Sequence, residues 1–355
     1  MKPLAIVVGV LAVLAASFAT FRDDIALALF QRAIAKQVSG DLLVEYPSGL
    51  HVASCGSGTP LPDQTMAGAC TAVIAGGRLL VFDMGDGASE TMARMGLNAS
   101  RIEALFLTHF HSDHIAGLGS LVMQQVTGGA ELEPLRLYGP KGVEKVAQGF
   151  NSAFSQDHAS RIDHHKSLKL SSRVLNLEAH AFEVPSEGRF PVVYQSEGLV
   201  VRSFVVPHGS VQSAVGYRIE FEGVVLVISG DTKASTNLVA AAQGADLLIH
   251  EALNREMVAV IEQEARALGQ LALATTMRDI QTYHATPLEA AKAAAKAQVK
   301  ALAFTHMIPP LPVKMLERPF LAGVRKSYSG PITVMRDGMV LSISKQREPA
   351  SRELL

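Results

Sequence analysis

The sequence of 355 residues predicts an α/β fold in which two β-sheets pack face to face and helices cover their outer faces. Short apolar runs bounded by turns occur in an early and a late group, and helix-like stretches accompany both groups. Hydrophobic residues make up 48% of the chain and charged residues 18%, a balance typical of proteins with a large packed core. We expect one large domain, residues 46–346, between an N-terminal segment and a tail at 347–355.

The early group contains four predicted strands and two helix-like stretches. The strands are His51–Cys55, Cys70–Ile74, Leu79–Asp83 and Ala104–Thr108. The helix-like stretches are Ala88–Met95 and Ile115–Gln125. The strand Ala104–Thr108 is apolar and ends at a cluster of histidines, so we expect polar side chains at the edge of a buried sheet.

The late group contains seven predicted strands, which are Leu199–Val206, Ala214–Phe221, Val224–Ser229, Leu247–His250, Ala301–Thr305, Ile332–Arg336 and Met339–Ser344. The helix-like stretches between them are Thr236–Gln243, Asn254–Leu268 and Pro287–Ala297. The last of these begins with a capping pattern, because Thr286 suits the N-cap and Glu289 the capping-box position. Residues 148–191 fit neither group and are predicted to form an insertion near the mouth of the site.

The N-terminal segment predicts a location outside the cytoplasm. Residues 1–21 have a basic start, an uncharged apolar run and small residues near its end, so they predict a signal peptide or a membrane anchor. Residues 22–45 predict an amphipathic helical linker. The domain is therefore expected to be exported, either periplasmic or membrane-anchored and facing outside the cytoplasm. Export would allow a disulfide between Cys55 and Cys70, and two buried free thiols are the alternative.

Four residues with metal-binding side chains lie within six positions, namely His109, His111, Asp113 and His114. Alternate residues of a strand point the same way, so His109 and His111 share a face, and the turn into the next helix brings Asp113 and His114 to the same pocket. Imidazole and carboxylate ligands together suit zinc, iron or manganese. The segment therefore predicts a metal site at the end of a strand.

Three further residues follow apolar strands in the same way, namely His208, Asp231 and His306. A lone histidine or aspartate at such a place is usually structural. Their matching positions at strand ends favour ligands here, and a carboxylate such as that of Asp231 can bridge two metal ions.

With these motifs, the chain resembles the metallo-β-lactamase superfamily, and within it the branch of ribonuclease Z and the arylsulfatase-like phosphodiesterases. The resemblance extends from about His51 to Ser344. It rests on Gly56-Ser-Gly-Thr-Pro60, Phe82-Asp-Met-Gly-Asp-Gly87, the His109–His114 segment, Gly216-Tyr-Arg-Ile219, Ser229-Gly-Asp-Thr232, His250-Glu-Ala252 and Phe304-Thr-His306. It implies the αβ/βα sandwich of that superfamily, with two mixed β-sheets flanked by helices.

The resemblance also implies two divalent metal ions, with zinc as the first choice and iron or manganese as alternatives. One ion would be bound by His109, His111 and His208, the other by Asp113, His114 and His306, and Asp231 would lie between them. Asp83 would orient a ligand, or would only form a turn between glycines. Glu251 and His284 resemble the proton-delivery pair of ribonuclease Z, and otherwise would support the ligands.

The predicted function is a metal-dependent hydrolase, in which hydroxide from a water shared by two metals, oriented by Asp113, attacks an ester. The formal net charge is only −1, and no long basic arm is evident, so a small phosphodiester or aryl sulfate is expected and a nucleic acid is not. A lactonase of the acyl-homoserine-lactone type is the alternative; Asp231 argues against a β-lactamase. A metal-binding scaffold without catalysis is a third hypothesis. The sequence leaves open whether the chain forms homo-oligomers.

Overall fold

The computed structural model describes residues 21–35, 38–63, 65–129, 133–344 and 348–355. The chain divides into two compact units, one ending at Asp41 and the other running from Leu42 to Leu355. In the first unit, residues 21–35 are helical and their side chains are exposed. None of the helices within these described ranges is long and apolar enough to cross a membrane. The predicted signal peptide or anchor lies outside the described residues, apart from Phe21.

The strands of the second unit are β1 Leu50–Gly56, β2 Cys70–Ala75, β3 Arg78–Phe82, β4 Ile102–Phe106, β5 Leu135–Pro140, β6 Leu177–Phe182, β7 Val192–Ser196, β8 Leu199–Val205, β9 Val215–Phe221, β10 Val224–Ile228, β11 Leu247–Leu253, β12 Leu302–Ile308, β13 Ile332–Val334, β14 Met339–Ile343 and β15 Ala350–Glu353.

Its helices are α1 Leu42–Glu45, α2 Ala88–Arg94, α3 Ser112–Ile115, α4 Leu118–Thr127, α5 Val143–Ala153, α6 Ser155–His164, α7 Thr236–Ala241, α8 Arg255–Ala267, α9 Leu271–Ile280, α10 Pro287–Lys296, α11 Glu317–Phe320 and α12 Val324–Ser327, with short 3-10 turns at Ala99–Arg101, Lys166–Leu168 and Lys314–Leu316. Helix α10 begins with the predicted capping box between Thr286 and Glu289.

The strands form two mixed sheets. The first has the order β15-β14-β1-β2-β3-β4-β5-β6, and the second β13-β12-β11-β10-β9-β8-β7. Strands β3 to β6 run parallel to one another, as do β10 to β13, and the remaining neighbours are antiparallel. Where neighbouring strands run parallel, their carboxyl ends lie at the same edge of the sheet. The polar residues predicted at the strand ends lie at this edge.

Three apolar layers hold the sandwich together. The inner faces of both sheets interlock through side chains such as Phe82 and Phe106 of the first sheet and Tyr217 of the second. The outer face of the first sheet packs on α2, α4 and α5, and that of the second packs on α7 and α10. The predicted fold, two mixed sheets flanked by helices, is confirmed.

The segment 148–191 differs from its prediction as an insertion near the site. It contains the end of α5, all of α6 and the strand β6, which pairs in parallel with β5. Strand β6 lies at the edge of the sheet and is only partly buried, so its sequence lacks the apolar run that marks the central strands. The cavity beside the candidate site is lined by other parts of the chain, among them α9.

Candidate metal centre

The predicted ligands come together where strands of the two sheets end. His109 and His111 follow β4, and Asp113 and His114 lie in the one-turn helix α3. From the second sheet come His208 after β8, Asp231 after β10 and His306 within β12. Six of these seven side chains are almost fully buried, and only His111 is exposed. Among the described residues, they form two groups, and within each group the ligand atoms lie within 4.8 Å of one another.

The first group consists of His109, His111, His208 and Asp231. The His111 Nδ1 atom lies 3.0 Å from His109 Nε2 and 3.3 Å from His208 Nε2. The Asp231 Oδ2 atom lies 3.8 Å from His109 Nε2 and 3.8 Å from His208 Nε2. Three ring nitrogens and a carboxylate oxygen thus face a common centre.

The second group consists of Asp113, His114 and His306. The Asp113 Oδ2 atom lies 3.0 Å from His306 Nε2 and 3.4 Å from His114 Nε2. The Asp231 Oδ2 atom is 3.4 Å from His114 Nε2 and 3.6 Å from His306 Nε2. Asp231 therefore lies between the two groups.

His306 reaches this centre because β12 bulges at that residue. The pairing of β11 with β12 goes from Glu251–Thr305 directly to Ala252–Met307, so His306 is an extra residue without a partner in the ladder. Its φ of 46° is in the left-handed region, which is rare for residues with a side chain. A bulge redirects the side chain of the extra residue, and here it directs the imidazole at Asp113 and Asp231.

Asp83 holds His114 from behind. Its Oδ2 atom accepts hydrogen bonds from His114 Nδ1 at 2.9 Å and from the Thr108 hydroxyl at 2.8 Å, and its Oδ1 accepts from the Thr108 backbone N–H at 2.8 Å. Asp83 also has a φ of 60°, as a residue in a turn can have. Both alternatives for Asp83 therefore hold, because it forms a turn and it orients the ligand His114. Two residues further on, only glycine fits at position 85, because a Cβ atom there would lie 2.1 Å from the Asp113 carbonyl oxygen.

The donor set fits cations. With its Nδ1 bound to Asp83, His114 directs Nε2 into the cluster, and that buried atom has no hydrogen-bond partner. A buried ring nitrogen without a hydrogen-bond partner, facing carboxylate oxygens and other imidazoles, is typical of a metal ligand. Imidazole and carboxylate groups suit zinc as well as iron or manganese.

The electrostatics of the protein without metal agree with this. Burial lowers the pKa of His109, and the neighbouring His114 lowers it further. Burial would raise the pKa of Asp231, but His306 and His114 outweigh it and hold that pKa well below its usual value. Burial would also lower the pKa of His306, whereas Asp231 and Asp113 raise it to about 9. Protons on His114 and His306 thus balance the carboxylates, and cations can replace them.

Glu251 and His284 form a pair beside the cluster. Glu251 Oε1 lies 3.2 Å from His284 Nδ1 and accepts hydrogen bonds from the backbone N–H groups of Thr232 and Ala285, each at 3.1 Å. Glu251 is buried beneath the site, whereas His284 lines the cavity in front of it. His284, Asp231 and His306 also lie close enough together to share an ion.

The cavity in front of the cluster was not predicted. Its volume is about 150 Å³, and its apolar wall consists of Pro60, Leu61, Met277, Ile280, Tyr283 and Ile308. Helix α9, which supplies two of these residues, has a signal in the sequence that could have identified it, because Leu273, Met277 and Ile280 recur at helical spacing. Pro60 and Leu61 come from the loop between β1 and β2. The sequence of this loop has no helix or strand periodicity that could have predicted their place in the cavity.

The two cysteines at the base of that loop form a disulfide, so the first of the two alternatives for Cys55 and Cys70 holds. The S–S distance is 1.99 Å and the Cα atoms are 5.0 Å apart. The bond closes the loop that reaches the cavity with Pro60 and Leu61.

Comparison with known proteins identifies the family. Residues 81–307 match the family model described as a beta-lactamase superfamily domain. A ribonuclease Z of Mycobacterium sp. (strain KMS) is 35% identical over 263 residues, which are 74% of this chain and 85% of that protein. Another ribonuclease Z, from Mycobacterium bovis (strain BCG / Pasteur 1173P2), is 32% identical over 81% of this chain and 96% of its own length.

Solved structures show the same fold. Human tRNase Z, short form, has a TM-score of 0.56 at 22% identity, covering 83% of this chain and 99% of that one. The metallo-beta-lactamase fold protein YhfI from Bacillus subtilis also has a TM-score of 0.56, at 19% identity, covering 82% of this chain and 98% of that one. At such identities these similarities establish the fold alone.

These relatives correct one prediction. The sequence was expected to have no nucleic-acid partner, and that expectation is wrong, because the curated relatives are named ribonuclease Z. The near-zero net charge misled here, because it describes the whole chain and contains no information on how charges are distributed over the surface.

The segment matched by the family model contains all seven residues of the cluster, and the chain therefore belongs to the metallo-β-lactamase superfamily, as a metal-dependent hydrolase of that fold.

Proposed function

We propose that this chain is a phosphodiesterase that hydrolyses a P–O bond with the help of two divalent metal ions, and that its substrate is RNA or a nucleotide diester. The position of the Asp231 carboxylate carries the proposal, because its Oδ2 atom lies within 3.8 Å of histidines from both groups. The relatives named ribonuclease Z support RNA as the substrate class.

In this proposal His109, His111 and His208 bind one ion, Asp113, His114 and His306 bind the other, and Asp231 contacts both. When bound, two such ions would lower the pKa of water and offset the negative charge that develops on the phosphoryl group. Zinc is the metal we would test first, and iron and manganese are consistent with the same donor set.

The chain's own residues supply the remaining steps. Asp113 faces the centre of the site and can orient the attacking water through a hydrogen bond to its carboxylate. As the oxygen of that water bonds to phosphorus, the water loses one proton, which Asp113 can accept and pass to solvent. The ester P–O bond breaks, and His284 can give a proton to the leaving oxygen. Glu251 accepts the hydrogen bond from His284 Nδ1 and so keeps the other ring nitrogen directed at the cavity. A general acid of this kind contributes about 10²–10⁴-fold to the rate.

A small phosphodiester or aryl sulfate ester is the second candidate substrate. The observation in its favour is the size of the cavity, because about 150 Å³ admits a single ring and no long polymer segment. The two candidates share one reaction centre and differ in what surrounds the scissile bond.

The experiment compares hydrolysis by the metal-loaded full chain across five substrates: a short RNA with a 3′ extension, bis-p-nitrophenyl phosphate, p-nitrophenyl sulfate, an acyl-homoserine lactone and a β-lactam. Each is measured with the wild type and with Asp231→Ala. The matched control is Asp163→Ala, which removes an exposed carboxylate of α6 far from the cluster in the sequence.

Turnover of RNA or the phosphodiester that is lost in Asp231→Ala and kept in Asp163→Ala would support the proposal. Turnover of the sulfate alone would select the aryl sulfatase, and turnover of the lactone alone would replace the proposal by a lactonase. If no substrate is hydrolysed while both metals are bound, the phosphodiesterase proposal fails and a scaffold role is favoured.

We also propose that the domain is exported from the cytoplasm. The support is the apolar N-terminal sequence together with the disulfide between Cys55 and Cys70, since disulfides persist in oxidising compartments. The test is protease digestion of intact cells that produce the full chain, with and without permeabilisation. The cell envelope outside the cytoplasmic membrane is permeabilised while that membrane stays intact. If the domain is then still protected from the protease, export is refuted.

A further inference from the structure

We propose that the cavity in front of the cluster is a binding subsite for one flat, uncharged ring attached to the scissile ester, which is a pyrimidine nucleobase or an aryl group. The inference rests on the proposed phosphodiesterase function and specifies the substrate that the site selects. It concerns residues outside the metal ligands, chiefly Leu61, Met277, Ile280 and Tyr283.

The composition of the cavity indicates the chemistry of its occupant. One side consists of the site residues His111, Asp113, Asp231, His284 and His306, and the opposite side is the apolar wall. The described residues that line the cavity include neither lysine nor arginine. A phosphate of a neighbouring nucleotide would therefore find no cationic partner along the apolar wall, whereas an uncharged ring would bury its faces against apolar side chains.

The volume indicates the number of rings. A cavity of about 150 Å³ is well below the ~300–1,000 Å³ of pockets that enclose drug-sized ligands, and is of the size that accepts a benzene ring. One ring fits, so the subsite would accommodate the group directly attached to the reacting phosphate and nothing beyond it.

The apolar wall is continuous with a small core cluster, so it is formed before any ligand binds. Met277, Ile280 and Ile308 are buried in that cluster with Leu253 and Val258, and Leu61 and Tyr283 pack against it. Side chains held in this way lose little conformational freedom when a ligand arrives, which favours binding of a rigid ring.

The loop that carries Pro60 and Leu61 is fixed at both ends. The disulfide closes its base, and Asp337 binds it just above, accepting hydrogen bonds from the backbone N–H and hydroxyl of Ser57, each at 2.8 Å, and from the backbone N–H of Ala67 at 2.7 Å. The two ends of the loop are therefore held in place, and Leu61 between them lines the cavity.

The wall is also connected to the metal site. The Tyr283 carbonyl oxygen accepts a hydrogen bond from His208 Nδ1 at 3.1 Å, and the Tyr283 ring lies edge-on to the His208 ring with centroids 5.2 Å apart. A ring bound against Tyr283 would therefore lie beside the ligand His208.

The experiment measures binding to the metal-loaded full chain by calorimetry, without turnover. Phenylphosphonate is compared with methylphosphonate, which has the same anionic head and no ring. Burial of the ring predicts about 10- to 100-fold tighter binding of the phenyl compound. In Leu61→Trp, which fills the cavity, this preference should disappear while methylphosphonate affinity is retained. Leu168→Trp is the matched control, because Leu168 is exposed and outside the cavity.

A second variant works in the opposite direction and does not depend on filling the cavity. Ile280→Ala enlarges it, so 1-naphthylphosphonate should gain affinity relative to phenylphosphonate by about tenfold. Uridine 3′-monophosphate, compared with ribose 3-phosphate, distinguishes the two sources of the ring. A Leu61-dependent preference in the nucleotide pair assigns a nucleobase, and one in the phosphonate pair alone assigns an aryl group.

Equal affinity for phenylphosphonate and methylphosphonate in the wild type, together with equal affinity for the nucleotide pair, would overturn the proposal. So would a ring preference that persists unchanged in Leu61→Trp. The outcome is separable from that of the proposed function: ring binding without hydrolysis of any phosphodiester would refute the phosphodiesterase, whereas hydrolysis without ring preference would refute only the subsite.

Discussion

Replacing Asp83 by asparagine tests how the second metal position is built. Asn has nearly the same shape as Asp and tolerates the left-handed backbone, so the φ of 60° at this position can be kept. The amide can still accept a hydrogen bond from the Thr108 N–H, which lies 2.8 Å from Oδ1. Its NH₂ group cannot accept one from His114 Nδ1, now 2.9 Å from Oδ2. The change therefore removes the acceptor for His114, reverses the hydrogen bond to the Thr108 hydroxyl, which can accept from the NH₂ group, and spares the fold.

The expected loss follows from what that interaction does. With Nδ1 no longer held as a donor, the His114 ring can shift its proton to Nε2, which is the atom that faces Asp113 and Asp231. Loss of such a supporting group typically weakens metal binding about 10- to 100-fold, which is about 1.4–2.8 kcal/mol. The loss should fall on the ion bound by Asp113, His114 and His306 and leave the other ion nearly unchanged.

Zinc affinity measured by competition with a chromogenic chelator resolves the two sites, with Asp86→Asn as the control. Asp86 belongs to the same Phe-Asp-Met-Gly-Asp-Gly segment, but its side chain is exposed. Wild-type affinity at both sites in Asp83→Asn would show that Asp83 does not set the tautomer of His114. Equal losses in Asp83→Asn and Asp86→Asn would show that the segment matters only as a turn.

Three further predictions concern other parts of the molecule. The double variant Cys55→Ser, Cys70→Ser should lose about 3 kcal/mol of unfolding free energy, because the disulfide closes a loop with a sequence separation of 15. For a unit of about 300 residues this is a fall in Tm of about 5 °C, and an unchanged Tm by calorimetry would refute it. The pKa of about 9 for His306, above its ordinary 6.5, stabilises the metal-free protein below about pH 6.5, and that stability is lost as the pH rises through about 9. A metal must displace this proton and the one on His114, so zinc affinity should rise at least about tenfold per pH unit up to about pH 9, and a flat profile would contradict the protonation of His306. Thr286→Ala should cost about 1 kcal/mol in urea unfolding, because it removes the hydroxyl that accepts from the Glu289 N–H, and no change in midpoint would show the cap to be dispensable.

Central strands and strand-end ligands were predictable because their signals are local. A strand buried on both faces needs an unbroken apolar run, and Ala104–Leu107 and Val224–Ile228 both have one. The polar residues that follow such runs stand out by contrast, as His109 and Asp231 do. Four strands within the described residues were missed, namely β5, β6, β7 and β15. Strands β6, β7 and β15 lie at sheet edges where solvent covers much of their surface, so their sequences need no apolar run. Strand β5 is interior, but its apolar run is interrupted by the exposed Arg136.

The family, the two mixed sheets and the side chains at the strand ends could be predicted from residue type and from spacing along the chain. Which of these side chains contact one another depends on the folded arrangement of the strands. His306 reaches the cluster through a bulge that exists only in the pairing of β11 with β12, and Asp83, directly after β3, supports His114 in α3. The apolar cavity likewise joins Leu61 to Ile280, which are remote in sequence. Contacts between distant residues depend on packing and register, and no local pattern encodes them.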